Sequence, residues 1–178
     1  MKKIVIVLVC VSISFLSFTE KDKKGTTTQE KNIVEVAAGN ENFSTLVAAV
    51  KAAGLVDVLS GTNQFTVFAP SNAAFDKLPK GTLDSFLMPQ NKDALADLLM
   101  YHVVAGEYKA ADVVKAIKAN KGKFSVNTIK GEKITLTMNG NNVVIKDAKG
   151  GKSVIIMTDI DASNGVIHAV GSVLMPKE

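Results

Sequence analysis

The chain contains no tryptophan and no arginine, a single cysteine, and few aromatic residues of any kind. Each shortage narrows what the protein can be. Without arginine there is no planar, two-pronged donor of the sort that suits phosphates and guanine edges. Every basic side chain is a lysine, and no aromatic residues are interleaved with them, so nucleic-acid binding is not expected. The one cysteine, Cys10, lies in an N-terminal apolar run. If that run is removed on export, no disulfide can form, and a core of this size does not need one. Two histidines, His102 and His168, with neither a cysteine partner nor helical His-x-x-x-His spacing, make a weak metal site. No serine or cysteine nucleophile constellation is recognisable. The chain therefore reads as non-enzymatic and free of cofactors.

What is present fits an exported protein. At 178 residues, 47% of them hydrophobic, there is room for one domain and a short extension. The core must rest on Val, Leu, Ile, Ala and Phe. Lys2 and Lys3 precede an apolar run from Ile4 to Phe18, followed by the polar Glu20-Lys21-Asp22-Lys23-Lys24. A basic start and an apolar run of roughly 15 residues, shorter than the ~18–20 of a bilayer span, read as a secretory signal over residues 1–19. Left uncleaved, the same segment would give a transient membrane association. A lipid anchor at Cys10 is set aside, because Val9 is not small and the apolar run continues past it. Residues 20–31 are charged and Gly/Thr-rich without periodicity, as in a flexible linker. The domain occupies residues 32–178.

Inside the domain, helical spacing dominates first. Ile33, Val34, Val36 and Ala37 suggest a short helix. Leu46, Val47, Val50 and Ala53 suggest another, with Ser44 as its cap and Gly54 as its stop. Short helices are expected from Ser71 or Asn72 through Phe75 and Leu78, and from Thr82 through Leu87. A longer one carries Leu95, Leu98, Leu99 and His102 on one face, with Asp93 in its first turn. Residues 110–119 form a further helix. From Phe124 onward the period becomes two: Phe124–Thr128, Ile134–Met138, Val143–Lys146, Val154–Met157 and Gly165–Leu174 read as strands, with a hairpin turn at Asn139-Gly140-Asn141-Asn142. Helices before strands argue α+β, with a mostly antiparallel sheet or sandwich.

Three segments stand out: Thr66-Val67-Phe68-Ala69-Pro70-Ser71-Asn72-Ala73-Ala74-Phe75, Tyr101-His102-Val103-Val104, and Asn164-Gly165-Val166-Ile167-His168. In this order they resemble the signature segments of the fasciclin (FAS1) domain family. The resemblance covers residues 32–176 and implies a wedge-shaped β-sandwich of about seven strands with helices along one edge. It implies adhesion rather than catalysis. The residues themselves give structural reasons for the signature. Pro70 ends strand pairing, Asn72 can tie a turn to its neighbours, and Asn164-Gly165 can reverse the chain before a buried strand.

Candidate contact residues also follow from the resemblance. In animal family members a Tyr-His segment among branched apolar residues is associated with integrin binding, which points to Tyr101 and His102. An Asp-Ile pair before the last segment, here Asp159-Ile160, lies in an integrin-binding motif of some members, although Met157, Thr158 and Asp161 do not reproduce it. Competing readings are a core-lining Tyr-His pair and a solvated loop at Asp159 and Asp161. Asn91-Lys92-Asp93 is read as a helix start. Lys115, Lys118, Lys121 and Lys123 suit either an acidic polysaccharide or a plain solvated face. The expected function is an exported, periplasmic, secreted or surface-held adhesion module of bacterial type, binding extracellular protein or polysaccharide. The alternative is a carrier of an apolar small molecule such as a carotenoid or lipid.

Overall fold

The computed structural model describes residues 31–79 and 81–177. The expected signal and nearly all of the expected linker lie outside the described residues. Helices α1 (Ile33–Ala38), α2 (Ser44–Ala53) and α3 (Val56–Leu59) precede strand β1 (Phe65–Pro70). Helices α4 (Asn72–Phe75), α5 (Thr82–Leu87) and α6 (Lys92–Tyr101) follow, then β2 (Val103–Ala105) and α7 (Ala110–Ala119). Five strands complete the chain: β3 (Lys123–Asn127), β4 (Lys133–Asn139), β5 (Asn142–Lys146), β6 (Lys152–Ala162) and β7 (Gly165–Val170).

Local chemistry accounts for many of these boundaries. Asn32 and Glu35 form a reciprocal capping box at the start of α1. Gly54, at φ 71°, closes α2 by donating its N–H to the Val50 and Lys51 carbonyls. Gly140 and Asn141 form the two-residue turn between β4 and β5, where Asn139 pairs with Asn142.

The strands follow the order β2-β1-β7-β6-β5-β4-β3. All neighbours are antiparallel except β1 and β7, which run parallel from Phe65↔Gly165 to Pro70↔Val170. The sheet curls until its ends nearly meet. Val104 bridges Thr128, and the Ile129 N–H donates to the Val103 carbonyl at 2.8 Å. Seven strands with helices packed against them give the α+β architecture the sequence implied.

The period-two alternation of β1 and β7 divides the interior into two cores. Phe65, Val67, Ala69, Ile167 and Ala169 face helices α1, α2 and α6. Phe68 and Val170 face the inside of the curled sheet, where they meet Tyr101, Ile117, Ile134, Leu136, Ile145 and Leu174.

Several local expectations need correction. Ser44 and Thr82 are the first residues of their helices, not their caps; Phe43 and Gly81 hold the cap positions without a side-chain bond. The short helix after Asn72 ends at Phe75. The last strand ends at Val170, and residues 171–177 form a strap outside it. Val103–Ala105 is a strand, and Asp159-Ile160 belongs to β6 rather than to a loop. Two register shifts against β7, between Ile155 and Met157 and between Met157 and Ile160, insert β-bulges there.

Candidate functional site

Three polar side chains, one from β6, one from the β6–β7 turn and one from the start of α4, take orphan N–H groups at the starts of three helices. The first turn of a helix leaves its N–H groups without partners inside the helix. Asn164, buried at the tip between β6 and β7, accepts from the Ile33 N–H of α1 at 2.9 Å. Its amide donates to the carbonyls of Leu59 and Gly61 at 2.7 and 2.9 Å. Asn72 accepts from the Thr45 N–H of α2 at 3.1 Å and donates to the Glu41 carbonyl at 2.8 Å and to Ser44 Oγ at 3.0 Å. Asp159 Oδ1 accepts from the Ala110 N–H, the first of α7, at 2.8 Å. A carboxylate there also complements the positive end of the helix dipole.

The rest of the signature is fixed in similar ways. Thr66 Oγ1 donates to the Gly106 carbonyl at 2.7 Å and accepts from the Tyr108 N–H at 2.8 Å. Phe68 stacks on His168, ring centroids 5.8 Å apart. Ala69 and Phe75 are buried, and Pro70 is the last residue of β1. Gly165, at φ 145°, lies so close to β1 that a Cβ would collide with the Phe65 carbonyl. No other residue type fits there.

The two histidines are buried in separate places and each is bonded through both ring nitrogens. His168 Nε2 faces the Tyr108 carbonyl at 2.8 Å, so it carries the hydrogen; Nδ1 accepts from the Asp159 N–H at 3.2 Å. That bond steadies Asp159, whose φ is 55° at the bulge. His102 is the reverse tautomer. Nδ1 donates to the Leu98 carbonyl at 2.8 Å, and Nε2 accepts from the Leu174 N–H at 2.9 Å. Burial lowers its pKa to about 4, against opposing contributions from the Leu98 bond and Asp147.

Tyr101 and His102 are 0% and 2% exposed. The Tyr101 hydroxyl accepts from the Ala148 N–H at 2.9 Å, and burial raises its pKa. The expectation of a surface contact at this pair is therefore corrected: the apolar face of α6 turns both rings inward, and neither presents an atom to a partner. Asp159 is exposed and Ile160 half-buried, beside the exposed Ile156 and Met157. Tyr101, His102, Asp159 and Ile160 do not converge on one cleft. Asp147 was not singled out in the sequence. Its carboxylate accepts from the Gly151 N–H at 2.6 Å and from the Met175 N–H at 3.1 Å, holding the C-terminal strap beside His102. Its one local signal in the sequence is the Gly150-Gly151 pair that follows it, which favours a turn.

Between α1, α2 and the sheet lies an apolar cavity of about 30 Å³, lined by residues such as Ile33, Leu46, Val50 and Ile167. That is room for about one water, whereas sites for drug-sized ligands occupy ~300–1,000 Å³. Among the described residues, no group of three or more His, Cys, Asp or Glu is placed to hold a metal ion.

A profile of the family described as "Fasciclin domain" matches residues 41–176. The chain belongs to the fasciclin domain family. It is 46% identical over 169 residues to the protein sll1483 of Synechocystis sp., covering 93% of this chain and 87% of that one. It is 34% identical over 149 residues to the immunogenic protein MPB70 of Mycobacterium bovis, covering 81% and 68%. Among solved structures it resembles a FAS1 domain pair from the insect cell adhesion molecule Fasciclin I. There the TM-score is 0.72 at 20% identity, over 82% of this chain and 51% of the pair. That likeness shows the shared fold. Within the fasciclin domain, Asn164 and Asp159 join helices to the sheet, and Asn72 joins α2 to α4.

Proposed function

We propose that this fasciclin domain is an exported, non-catalytic surface-interaction module that binds extracellular protein or polysaccharide. The observation that carries this reading is the use made of the chemically capable side chains. His102, His168, Thr66, Asn72 and Asn164 are all engaged with backbone groups from other parts of the chain. His102 borders the small apolar cavity, but both of its ring nitrogens are bonded, and none of the five side chains is free to act as a general base or nucleophile. What remains for a partner is the outer surface: the strands, their loops, and an open groove of about 390 Å³ lined by residues such as Phe86, Leu98, Lys130 and Met175. The adhesion role named for the insect relative and the immunogenic character named for the mycobacterial one support the same reading. So does the basic, apolar start of the chain, which suits export.

Asp159 and Ile160 are the residues to test first for a protein partner. They adjoin the exposed Ile156 and Met157, so a charge and an apolar patch stand together on the bulged part of β6. Because Asp159 also caps α7, Asp159→Asn is the informative change; it keeps an oxygen acceptor and removes the charge. A carotenoid or lipid would enter the apolar cavity only if α1 and α2 parted from the sheet, and would otherwise have to lie in the open groove between α6 and the C-terminal strap.

The test is binding of the purified protein to matrix proteins, polysaccharides and whole cells, with thermal melts run alongside. Saturable binding to one class is the expected result. Failure to bind any of them, together with an apolar compound extracted from the native protein, would replace this reading with the carrier.

A further inference from the structure

Strand register places a set of side chains together that the sequence scatters over thirty residues. Lys123 pairs with Thr137, Ser125 with Thr135 and Asn127 with Lys133. Thr135 then pairs with Lys146, Thr137 with Val144 and Asn139 with Asn142. Val144 pairs with Val154, and Lys146 with Lys152. Directly paired residues point to the same side of a sheet. The intervening Val126, Ile134, Leu136, Ile145 and Ile155 are buried in the sheet core, so the paired set forms the outer face.

That face has one sign of charge. Lys123, Lys133, Lys146 and Lys152 stand on it, and none of its positions is occupied by Asp or Glu. All four lysines are exposed, and none has an ion-pair partner among the described residues. Lys146 and Lys152 are directly opposite each other, an arrangement that costs stability in the absence of a counter-charge. Three lysines elsewhere have carboxylate partners: Lys109 with Asp161, Lys115 with Asp112, and Lys130 with Asp97. Between and beside the free lysines are the hydroxyl and amide groups of Ser125, Thr135, Asn127 and Asn139, together with the buried Val144 and the exposed Val154.

We propose that the outer face of β3–β6 is a platform for an acidic polysaccharide, one bearing carboxylate or sulfate groups. The inference rests on the surface-interaction reading above and names its partner class. Charge complementarity selects a polyanion. Lysine recognises carboxylate and sulfate as a point charge, without the fork that arginine offers to phosphate. Hydroxyl and amide side chains between the charges match sugar hydroxyls as both donors and acceptors. The face has no Trp, Tyr or Arg to anchor a protein hot spot, and no aromatic ring on which a nucleobase would stack. Strand spacing of ~4.8 Å puts neighbouring rows within reach of one extended chain. The platform differs from the expected lysine run: of Lys115, Lys118, Lys121 and Lys123, the paired face includes only Lys123.

The test compares alginate and dextran sulfate with neutral dextran and with phosphatidylglycerol vesicles. The full chain is compared with a variant carrying Lys123→Gln, Lys133→Gln, Lys146→Gln and Lys152→Gln. A control carries Lys115→Gln and Lys118→Gln on α7. The expected result is saturable, salt-sensitive binding to at least one acidic polysaccharide, weakened at least about tenfold by the four-site variant and less than about twofold by the control. Neutral dextran should not bind, and the melts of both variants should be no lower than that of the parent. Equal loss in both variants, no loss in the four-site variant, or binding to vesicles but to neither acidic polymer would overturn the proposal. Retained binding to a matrix protein or to cells, with no binding to either acidic polymer, would overturn this inference alone. Absence of binding to every polymer, protein and cell would overturn the surface-interaction reading with it.

Discussion

The β1–β7 side of the molecule and the outer face of β3–β6 treat polar side chains in opposite ways. On the first, Asn72, Asn164, Thr66 and His168 reach across to the backbones of other elements, and most of their donors and acceptors are engaged. On the second, Ser125, Thr135 and the four outer lysines lie on the solvent side of a regular antiparallel ladder. Ser125 and Thr135 bond only to each other, at 3.1 Å. The backbone of the ladder satisfies itself, so its outer side chains are free to change. The backbone on the other side depends on side chains, because helix starts and irregular loops meet there. The recognisable signature is therefore a record of how the helices are attached to the sheet. The surface that could distinguish one partner from another lies elsewhere.

Changes to the attachment side should break this contrast most strongly. Asn164→Ala removes three bonds at a buried point where α1, the loop after α3 and the β6–β7 turn converge. Leaving those groups unsatisfied should cost about 3–5 kcal/mol, visible as a lower urea midpoint at unchanged slope. Gly165→Ala belongs in the same range or beyond, because the collision is with backbone.

Acid should be the next largest perturbation. The unfolded chain protonates His102 below its ordinary 6.5, whereas the folded protein does so only near 4. The unfolded state thus binds the extra proton between those values, and stability falls as pH drops through that window, then levels off. The loss attributable to His102 should approach roughly 3 kcal/mol. Protonation also removes the acceptor that holds the Leu174 N–H, so the C-terminal strap should lose amide protection first. Urea titrations near neutral pH and near pH 4, repeated on His102→Gln, separate this contribution from that of the carboxylates. The pH-dependent drop should be smaller in the variant.

Asn72→Ala and Asp159→Ala each remove one trans-cap and should cost about 1–2 kcal/mol, with Asp159→Asn retaining most of that stability. The smallest effect belongs to the ladder side. Lys146→Thr, or Lys152→Thr, should change stability by no more than about 0.5 kcal/mol and in the favourable direction, since it relieves a like-charged pair. A thermal melt of each variant checks both statements.

The sequence made the helices and hairpins legible wherever a local pattern specified them. Asn139-Gly140-Asn141-Asn142 announced the β4–β5 turn, and Val113 and Ile117 announced the buried face of α7. Strand β2 was hidden because Val103 and Val104 continue the apolar run of α6 without a break, while His102 ends the helix with no glycine to mark the stop. The length of β6 was hidden by its bulges, which disturb the period of two around Asp159. The signature asparagines were visible as turn residues, but their partners were not: Asn164 bonds Ile33, 131 positions away. The lysine face was invisible for a related reason, since Lys123 and Lys152 share a surface only through the register of four strands.

The division between the two sides is tested most directly by urea unfolding of Asn164→Ala beside the variant carrying Lys123→Gln, Lys133→Gln, Lys146→Gln and Lys152→Gln. The account predicts a large drop in midpoint for the single change and a midpoint equal to or above the parent's for the four together. A four-site variant destabilised as much as Asn164→Ala would contradict it, because the outer face would then be holding the fold together.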